Sequence, residues 1–149
     1  PPLRKQSDCE ALWDAIADGT IETVGTDHCP FTLSQKRTGI GDFRKIPNGA
    51  GGVEHRLALL YTYGVLEKKI NMQQFVALTS ANAAKVFGLF PEKGNIKEGS
   101  DADIIIWDPS HKDVISANTH HQNCDINIYE GIKTYGSPKN IILKGELII

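Results

Sequence analysis

Apolar and polar residues follow a helical period near the start of the chain and a strand-like run directly after it. Ser7 and Glu10 stand three residues apart, as in a capping box, and predict the start of a helix that Gly19 ends. The apolar run over residues 21–24 then predicts a short β-strand. A helix followed by a strand indicates an α/β unit.

Further helices follow a connection rich in Gly, Lys and Pro over residues 32–52. Apolar residues three and four positions apart predict a helix over residues 53–67. Asn71 is a suitable N-cap for the next region, which Thr79-Ser80 divides into two short helices that end at Gly88. The connection before residue 53 is long for a compact domain and is therefore a candidate functional loop.

After Pro91 the pattern changes from helical to strand-like. The predicted β-strands cover residues 103–107, 113–116, 140–143 and 147–149. We therefore predict a boundary near Pro91 to Gly94, with residues 1–90 forming one unit and residues 91–149 another.

Composition and charge narrow the possible partners. The net charge is −2 and the signs are mixed along the chain, so we expect no nucleic acid and no membrane as a partner. No apolar run approaches the roughly 20 residues that cross a bilayer. Three cysteines without CxxC spacing and no signal segment favour a cytoplasmic location. The start without Met and the strand-like end suggest a piece of a longer protein.

Asp27 is the first candidate for chemistry because it follows a predicted strand, where α/β folds place catalytic groups. A carboxylate there can bind a divalent metal and accept a proton from water, and His28 could add a second ligand. The alternative is that Asp27-His28 only forms a turn or a cap. Spacing alone favours that alternative.

Three other segments combine residues that can bind ligands. Residues 46–52 join a rigid proline to small residues, so their backbone can approach a ligand, although a plain hinge has the same composition. His120-His121 with Cys124 supplies too few ligands at zinc-site spacing, which favours a loop. Asp101-Ala102-Asp103 precedes an apolar strand and predicts a turn.

Five motifs occur in a fixed order: Pro1-Pro2-Leu3-Arg4, Gly25-Thr26-Asp27-His28-Cys29-Pro30-Phe31, Ile46-Pro47-Asn48-Gly49, Gly52-Val53-Glu54-His55-Arg56, and Lys93-Gly94-Asn95-Ile96 through Gly99-Ser100-Asp101-Ala102-Asp103. In order and spacing they resemble the dihydropyrimidinase and D-hydantoinase family of the amidohydrolase superfamily. The resemblance covers nearly the whole chain and suggests the C-terminal part of such a protein.

The resemblance implies a particular fold and cofactor. Residues 1–90 would be the last strand and the C-terminal helices of a (β/α)8 barrel of the TIM type. Residues 91–149 would be strands of a small β-sandwich. The full-length protein would be a homotetramer with two zinc ions per active site, bridged by a carboxylated lysine outside this chain.

The resemblance also implies the reaction, which is hydrolysis of the ring amide of dihydropyrimidines or hydantoins to N-carbamoyl amino acids. Asp27 would be a zinc ligand and the catalytic group that takes a proton from the attacking hydroxide and passes it to the leaving nitrogen. Asn48 matches the position whose main chain binds the imide edge of the substrate. Residues 54–56 would be a structural helix start.

Three alternatives stay open. A dihydropyrimidinase-like protein without catalytic activity is disfavoured because such relatives replace the aspartate that this chain has at position 27. Allantoinase and dihydroorotase are sister cyclic amidases, and Cys29-Pro30-Phe31 with the Pro-Asn-Gly loop makes them a poorer match. Without the resemblance, a self-contained binding module would be the preferred interpretation.

Because a complete barrel needs about 250 residues, we predict that these 149 residues alone hydrolyse neither dihydrouracil nor hydantoin and bind zinc weakly or not at all. The measurement is an assay of ring opening with the purified chain in the presence of zinc. Turnover of either substrate would refute the prediction.

Overall fold

The computed structural model describes residues 3–149, so Pro1-Pro2 of the first motif lies outside the described residues. Helices fill the first part and an antiparallel sheet the second. The elements are α1 Gln6–Ala17, α2 Leu33–Arg37, α3 Arg56–Leu60, α4 Met72–Val76, α5 Asn82–Val86, β1 Ile104–Val114, β2 Lys133–Leu143 and β3 Glu146–Leu147. A 3-10 turn covers Phe43–Lys45, and π-helical turns cover Tyr61–Leu66 and Ala77–Ala81. No helix within residues 3–149 is long and apolar enough to cross a membrane.

α1 begins earlier than predicted. Its N-cap is Lys5, whose backbone N–H donates to the Asp8 carboxylate at 3.0 Å. The predicted pair, Ser7 and Glu10, therefore lies inside the helix, because a carboxylate three residues after Lys5 already satisfies the N-terminal donor. Gly19 follows the helix with φ +87°, as the sequence predicts for its end.

The strand predicted over residues 21–24 does not form within the described part of the chain. The carbonyl of Val24 accepts a hydrogen bond from Arg56 Nη1 at 3.1 Å, and the carbonyl of Glu22 accepts one from Asn82 Nδ2 at 3.0 Å. A strand needs the backbone of a neighbouring strand. Here side chains of α3 and α5 bind those carbonyls instead.

α3 is shorter than predicted at its start and continues into the π-helical turn Tyr61–Leu66. The hydroxyl of Thr62 donates to the carbonyl of Ala58 at 2.7 Å, a side-chain bond that competes with the regular helix ladder. The same hydroxyl accepts a hydrogen bond from the backbone N–H of Tyr135 at 2.8 Å. Thr62 therefore fixes β2 against this helix.

The second helical region starts as predicted, because the side chain of Asn71 accepts a hydrogen bond from Gln74 N at 2.9 Å. The predicted interruption at Thr79-Ser80 is not a break. It lies in the π-helical turn Ala77–Ala81, where the Thr79 hydroxyl donates to the carbonyl of Phe75 at 2.7 Å. α4 and α5 therefore form one continuous helical run rather than two separate helices.

The sheet has the order β1-β2-β3, and both pairs of strands are antiparallel. The strands predicted over residues 103–107 and 113–116 merge into β1. Its register with β2 shifts between Asp108 and Lys112, where Pro109 has no N–H to donate to the ladder. Residues 108–112 are polar or proline and interrupt the apolar pattern, so the pattern predicts two strands instead of one.

β2 is longer than predicted. It begins at Lys133, and its buried positions there include Thr134 and Gly136, which carry no large apolar side chain. The predicted strand over residues 147–149 is shorter in the structure, although the N–H of Ile148 still donates to the carbonyl of Ile141 at 2.8 Å.

The buried core lies between the helices and the start of the sheet. Tyr61, Ile70, Phe75 and Leu78 are buried together, and Trp107 of β1 packs against them. The ring centroids of Tyr61 and Trp107 are 5.4 Å apart, and those of Tyr61 and Phe75 are 6.0 Å apart, both in edge-on arrangements. The aromatic rings therefore connect the helical part to the sheet.

Gly136 tests this packing. Its φ is +77°, and a Cβ there would lie 2.7 Å from both Trp107 Cζ2 and Tyr61 Cδ1. We expect Gly136→Ala to reduce the free energy of unfolding by about 3 kcal/mol through backbone strain and overpacking. Gly145→Ala is the control: φ is +84° and no atom lies within 4 Å of the Cβ, so only about 1 kcal/mol should be lost. Urea denaturation of both variants measures the difference, and equal losses would contradict the packing described.

Candidate active site

Asp27 and Asn48, the two residues singled out from the sequence, lie on neighbouring segments. His28 and Ala50 form an isolated parallel β-bridge, and the N–H of Cys29 donates to the carbonyl of Ala50 at 2.9 Å. Asp27 directly precedes the bridge on one segment, and Asn48 precedes it by two positions on the other. The pairing therefore holds both segments side by side.

The Asp27 side chain is exposed, and its backbone φ is +43°. Aspartate adopts this left-handed conformation more readily than most residues. None of the hydrogen bonds or ion pairs formed among residues 3–149 involves its carboxylate. The carboxylate is therefore available to a ligand on this side of the molecule.

His28, which the sequence offers as a second ligand, makes a structural contact through one of its two ring nitrogens. Its Nδ1 accepts hydrogen bonds from the backbone N–H groups of Gly52 at 3.1 Å and Val53 at 3.3 Å. Since this nitrogen accepts, the neutral ring carries its proton on Nε2. The imidazole thus ties the segment of Asp27 to the end of the glycine-rich loop.

The loop over residues 46–52 is fixed on both sides of Asn48. Lys36 Nζ donates to the carbonyls of Pro47 and Gly49, each at 2.5 Å. Gly49 has φ +95°, and a Cβ there would lie 2.6 Å from the Cβ of Cys29. Only glycine satisfies both conditions.

Asn48 itself is exposed. Within residues 3–149, its backbone N–H and C=O take part in no backbone hydrogen bond. A main-chain donor and acceptor at a fixed, exposed position can bind an amide or imide edge of a small molecule.

A half-buried polar cluster that the sequence did not reveal lies behind the loop. Asn127 Nδ2 donates to His55 Nε2 at 2.8 Å and to His120 Nδ1 at 3.1 Å, and His120 Nε2 donates to the carbonyl of Cys124 at 2.8 Å. Gln122 completes the cluster, and its Oε1 would lie 2.3 Å from a Cβ at Gly51. No sequence period joins these residues, although the paired histidines at 120 and 121 were a signal.

The candidate metal ligands of the sequence lie in separate places in the structure. Within residues 3–149, no three His, Cys, Asp or Glu side chains are grouped as a metal site. His120 is bound to the backbone of Cys124, and His121 Nδ1 lies 2.8 Å from Glu54 Oε1, so these residues form the predicted loop. Lys93 pairs with Asp101 and Asp103, which agrees with a structural role for that turn.

The surroundings lower the pKa of two side chains in this region, His55 and Glu54. Burial lowers the pKa of His55, with the nearby His120 acting in the same direction and Glu54 and Asp113 opposing it. Burial alone would raise the pKa of Glu54, but hydrogen bonds from the side chain and backbone of His121 lower it below its usual value. A proton on His55 Nε2 would also face the N–H donor of Asn127.

Comparison with known proteins shows the family to which the chain belongs. The model of the amidohydrolase family matches residues 2–148, and the chain belongs to this family. The chain is 45% identical to a D-hydantoinase of Geobacillus stearothermophilus, with 100% of the chain and 32% of that protein covered. It is 46% identical to the dihydropyrimidinase of Rattus norvegicus, with 99% of the chain and 29% of that protein covered.

The fold comparison gives the same result. The solved structure of D-hydantoinase from a Bacillus sp. AR9 matches with a TM-score of 0.97 and 48% identity, covering 100% of this chain and 33% of that one. The resemblance to dihydropyrimidinases and D-hydantoinases inferred from the motifs is confirmed. The chain spans about a third of the length of the curated relatives that it matches.

The lowered pKa of His55 predicts a pH-dependent stability. Because the folded state binds this proton less readily than the unfolded state, stability is present above the usual pKa of 6.5 and is lost as the pH falls below it. We expect the thermal midpoint to fall between about pH 7 and pH 5.5, and His55→Gln to reduce this dependence. His111→Gln, an exposed histidine of β1, is the control. An unchanged pH dependence in His55→Gln would contradict the account.

Proposed function

We propose that the chain is part of a zinc-dependent cyclic amidase that opens the ring amide of dihydropyrimidines or hydantoins to give N-carbamoyl amino acids. The observation that carries the proposal is the pairing of two segments, one with the exposed Asp27 carboxylate and the other with the main-chain groups of Asn48. Relatives that are D-hydantoinases or dihydropyrimidinases support the substrate class.

We also propose the position of this chain in the whole enzyme. Residues up to 90 would complete a (β/α)8 barrel of the TIM type, and residues 91–149 would belong to a small β-sandwich. The change from helices to an antiparallel sheet supports this division, and the match to hydantoinase structures supports a piece of an amidohydrolase fold. Residues 21–24 form no β-bridge in the structure, and pairing with barrel strands from the rest of the enzyme would replace the side-chain hydrogen bonds of Arg56 and Asn82 to this backbone.

The donor set fits zinc only in part. A carboxylate oxygen is an accepted zinc ligand, and the exposed Asp27 side chain can supply one. A zinc site needs three or four protein ligands, so the others, including a bridging carboxylated lysine, would come from outside these residues. When bound, zinc supplies a Lewis acid for the carbonyl and a more acidic water.

Asp27 and Asn48 would have separate roles in the reaction. The Asn48 N–H and C=O would bind the imide edge of the substrate and orient the ring. The Asp27 carboxylate would accept a proton from the attacking water and deliver it to the ring nitrogen as the C–N bond breaks. This transfer lets the ring nitrogen leave as the neutral NH2 of the carbamoyl group instead of as an anion.

We further propose that the full-length protein is a cytoplasmic homotetramer. The three cysteines in residues 3–149 are free thiols and form no disulfide, which supports a reducing compartment. Many large apolar side chains are exposed in this part of the chain, including Ile105, Ile106 and Ile148. Such surfaces support packing against the rest of the protein or against further subunits.

Asp27→Asn in the full-length protein tests the proposed role. Because the amide cannot accept the proton and is a poorer metal ligand, we expect kcat for dihydrouracil and hydantoin to fall by at least about 10³-fold, and bound zinc to decrease. Steady-state kinetics and elemental analysis measure both effects. Asp14→Asn, at an exposed position of α1, is the matched control and should retain wild-type kcat. Full turnover by Asp27→Asn would exclude Asp27 from catalysis.

A further inference from the structure

Lys36 contacts the backbone on both sides of Asn48. Its Nζ lies 2.5 Å from the carbonyl oxygen of Pro47 and 2.5 Å from that of Gly49. The carbonyl of Pro47 and the N–H of Asn48 are the two ends of one peptide group. A cation on that carbonyl therefore fixes the plane of this peptide and makes its N–H a stronger donor.

The loop needs such a contact because its own sequence is flexible. Glycines occupy positions 49, 51 and 52, and the backbone of Asn48 has no hydrogen bond to another backbone group in the part of the chain described. After Gly49, the next fixed point is the carbonyl of Ala50, which binds Cys29 N. Without Lys36, nothing among the contacts described would fix the two carbonyls that flank Asn48.

The position of Lys36 is itself well defined. It lies in the last turn of α2, which Thr32 caps by accepting a hydrogen bond from Gln35 N at 3.3 Å. The N–H of Leu33 donates to the Asp125 carboxylate at 2.7 Å, which fixes the first turn of α2. The Lys36 ammonium also lies 4.9 Å from the centre of the Phe31 ring, within cation–π range.

We propose that Lys36 is a positioning residue for substrate binding: its ammonium group holds the peptide groups around Asn48 so that the Asn48 main chain can bind the imide edge of a cyclic amide. This inference rests on the proposed function of the site. It adds a residue that does not touch the substrate and acts through the loop. A loss of this contact should weaken binding more than it slows the chemical step.

The test compares Lys36→Met and Lys36→Arg in the full-length protein with dihydrouracil and hydantoin as substrates. Met keeps the length of the side chain but removes the charge and the donors. Because hydrogen bonds from a charged group are lost, we expect KM to rise about tenfold or more while kcat changes less than about threefold. Arg retains a cation with several donors and should recover most of the KM. Zinc content should match the wild type in both variants.

Lys97→Met is the matched control, because Lys97 is exposed and its ammonium forms none of the hydrogen bonds or ion pairs among residues 3–149. It should keep the wild-type KM. A KM for Lys36→Met within about twofold of the wild type would overturn the role of Lys36 and leave the proposed function intact. A loss of zinc, or failure of both Lys36 variants to fold, would also overturn it by assigning Lys36 to structure. A wild-type protein inactive on every cyclic amide would overturn both proposals.

Discussion

One short parallel pairing, between His28 and Ala50, determines the arrangement of the candidate active site. Asp27 lies one residue before the bridge on its segment, and Asn48 lies two residues before it on the other. The pairing therefore holds these two residues on neighbouring segments. Additional contacts make this pairing rigid: His28 Nδ1 binds the end of the glycine-rich loop, and Lys36 binds its middle. Without the pairing, an exposed aspartate and a flexible loop would be two unrelated surface features.

The longer helical regions could be predicted from the sequence because their signals are local, but the short helix α2 was missed, since it lies within residues 32–52, which were predicted as a loop. Asn71 caps its helix as predicted, and Gly19 ends the first. The strand over residues 21–24 could not be predicted correctly, because a strand depends on a neighbouring backbone and Arg56 and Asn82 bind its carbonyls. Similarly, the sequence pattern predicts two strands on either side of Pro109, although in the structure the antiparallel pairing of β1 continues beyond the irregularity there.

The candidate site, like the fold, could be predicted from the sequence only in part. Asp27 was a candidate from its place after a predicted strand that does not form, and the motif resemblance identified Asp27 and Asn48 together, because no period in the sequence relates two positions on separate segments. The hydrogen bonds among His55, His120 and Asn127 were missed because they join residues far apart in the chain. Lys36 was missed for a different reason, because its ammonium group binds backbone carbonyls, which every residue carries and no motif reveals. Long-range polar contacts of this kind are visible only in three dimensions.

The central claim is that the segments of Asp27 and Asn48 form one wall of a zinc-dependent amidase site. The most direct measurement is a crystal structure of the full-length protein with zinc and a bound cyclic imide. The account predicts an Asp27 oxygen about 2.0–2.2 Å from a zinc ion and hydrogen bonds from the Asn48 main chain to the imide. A zinc site without Asp27, or an imide bound away from Asn48, would contradict it.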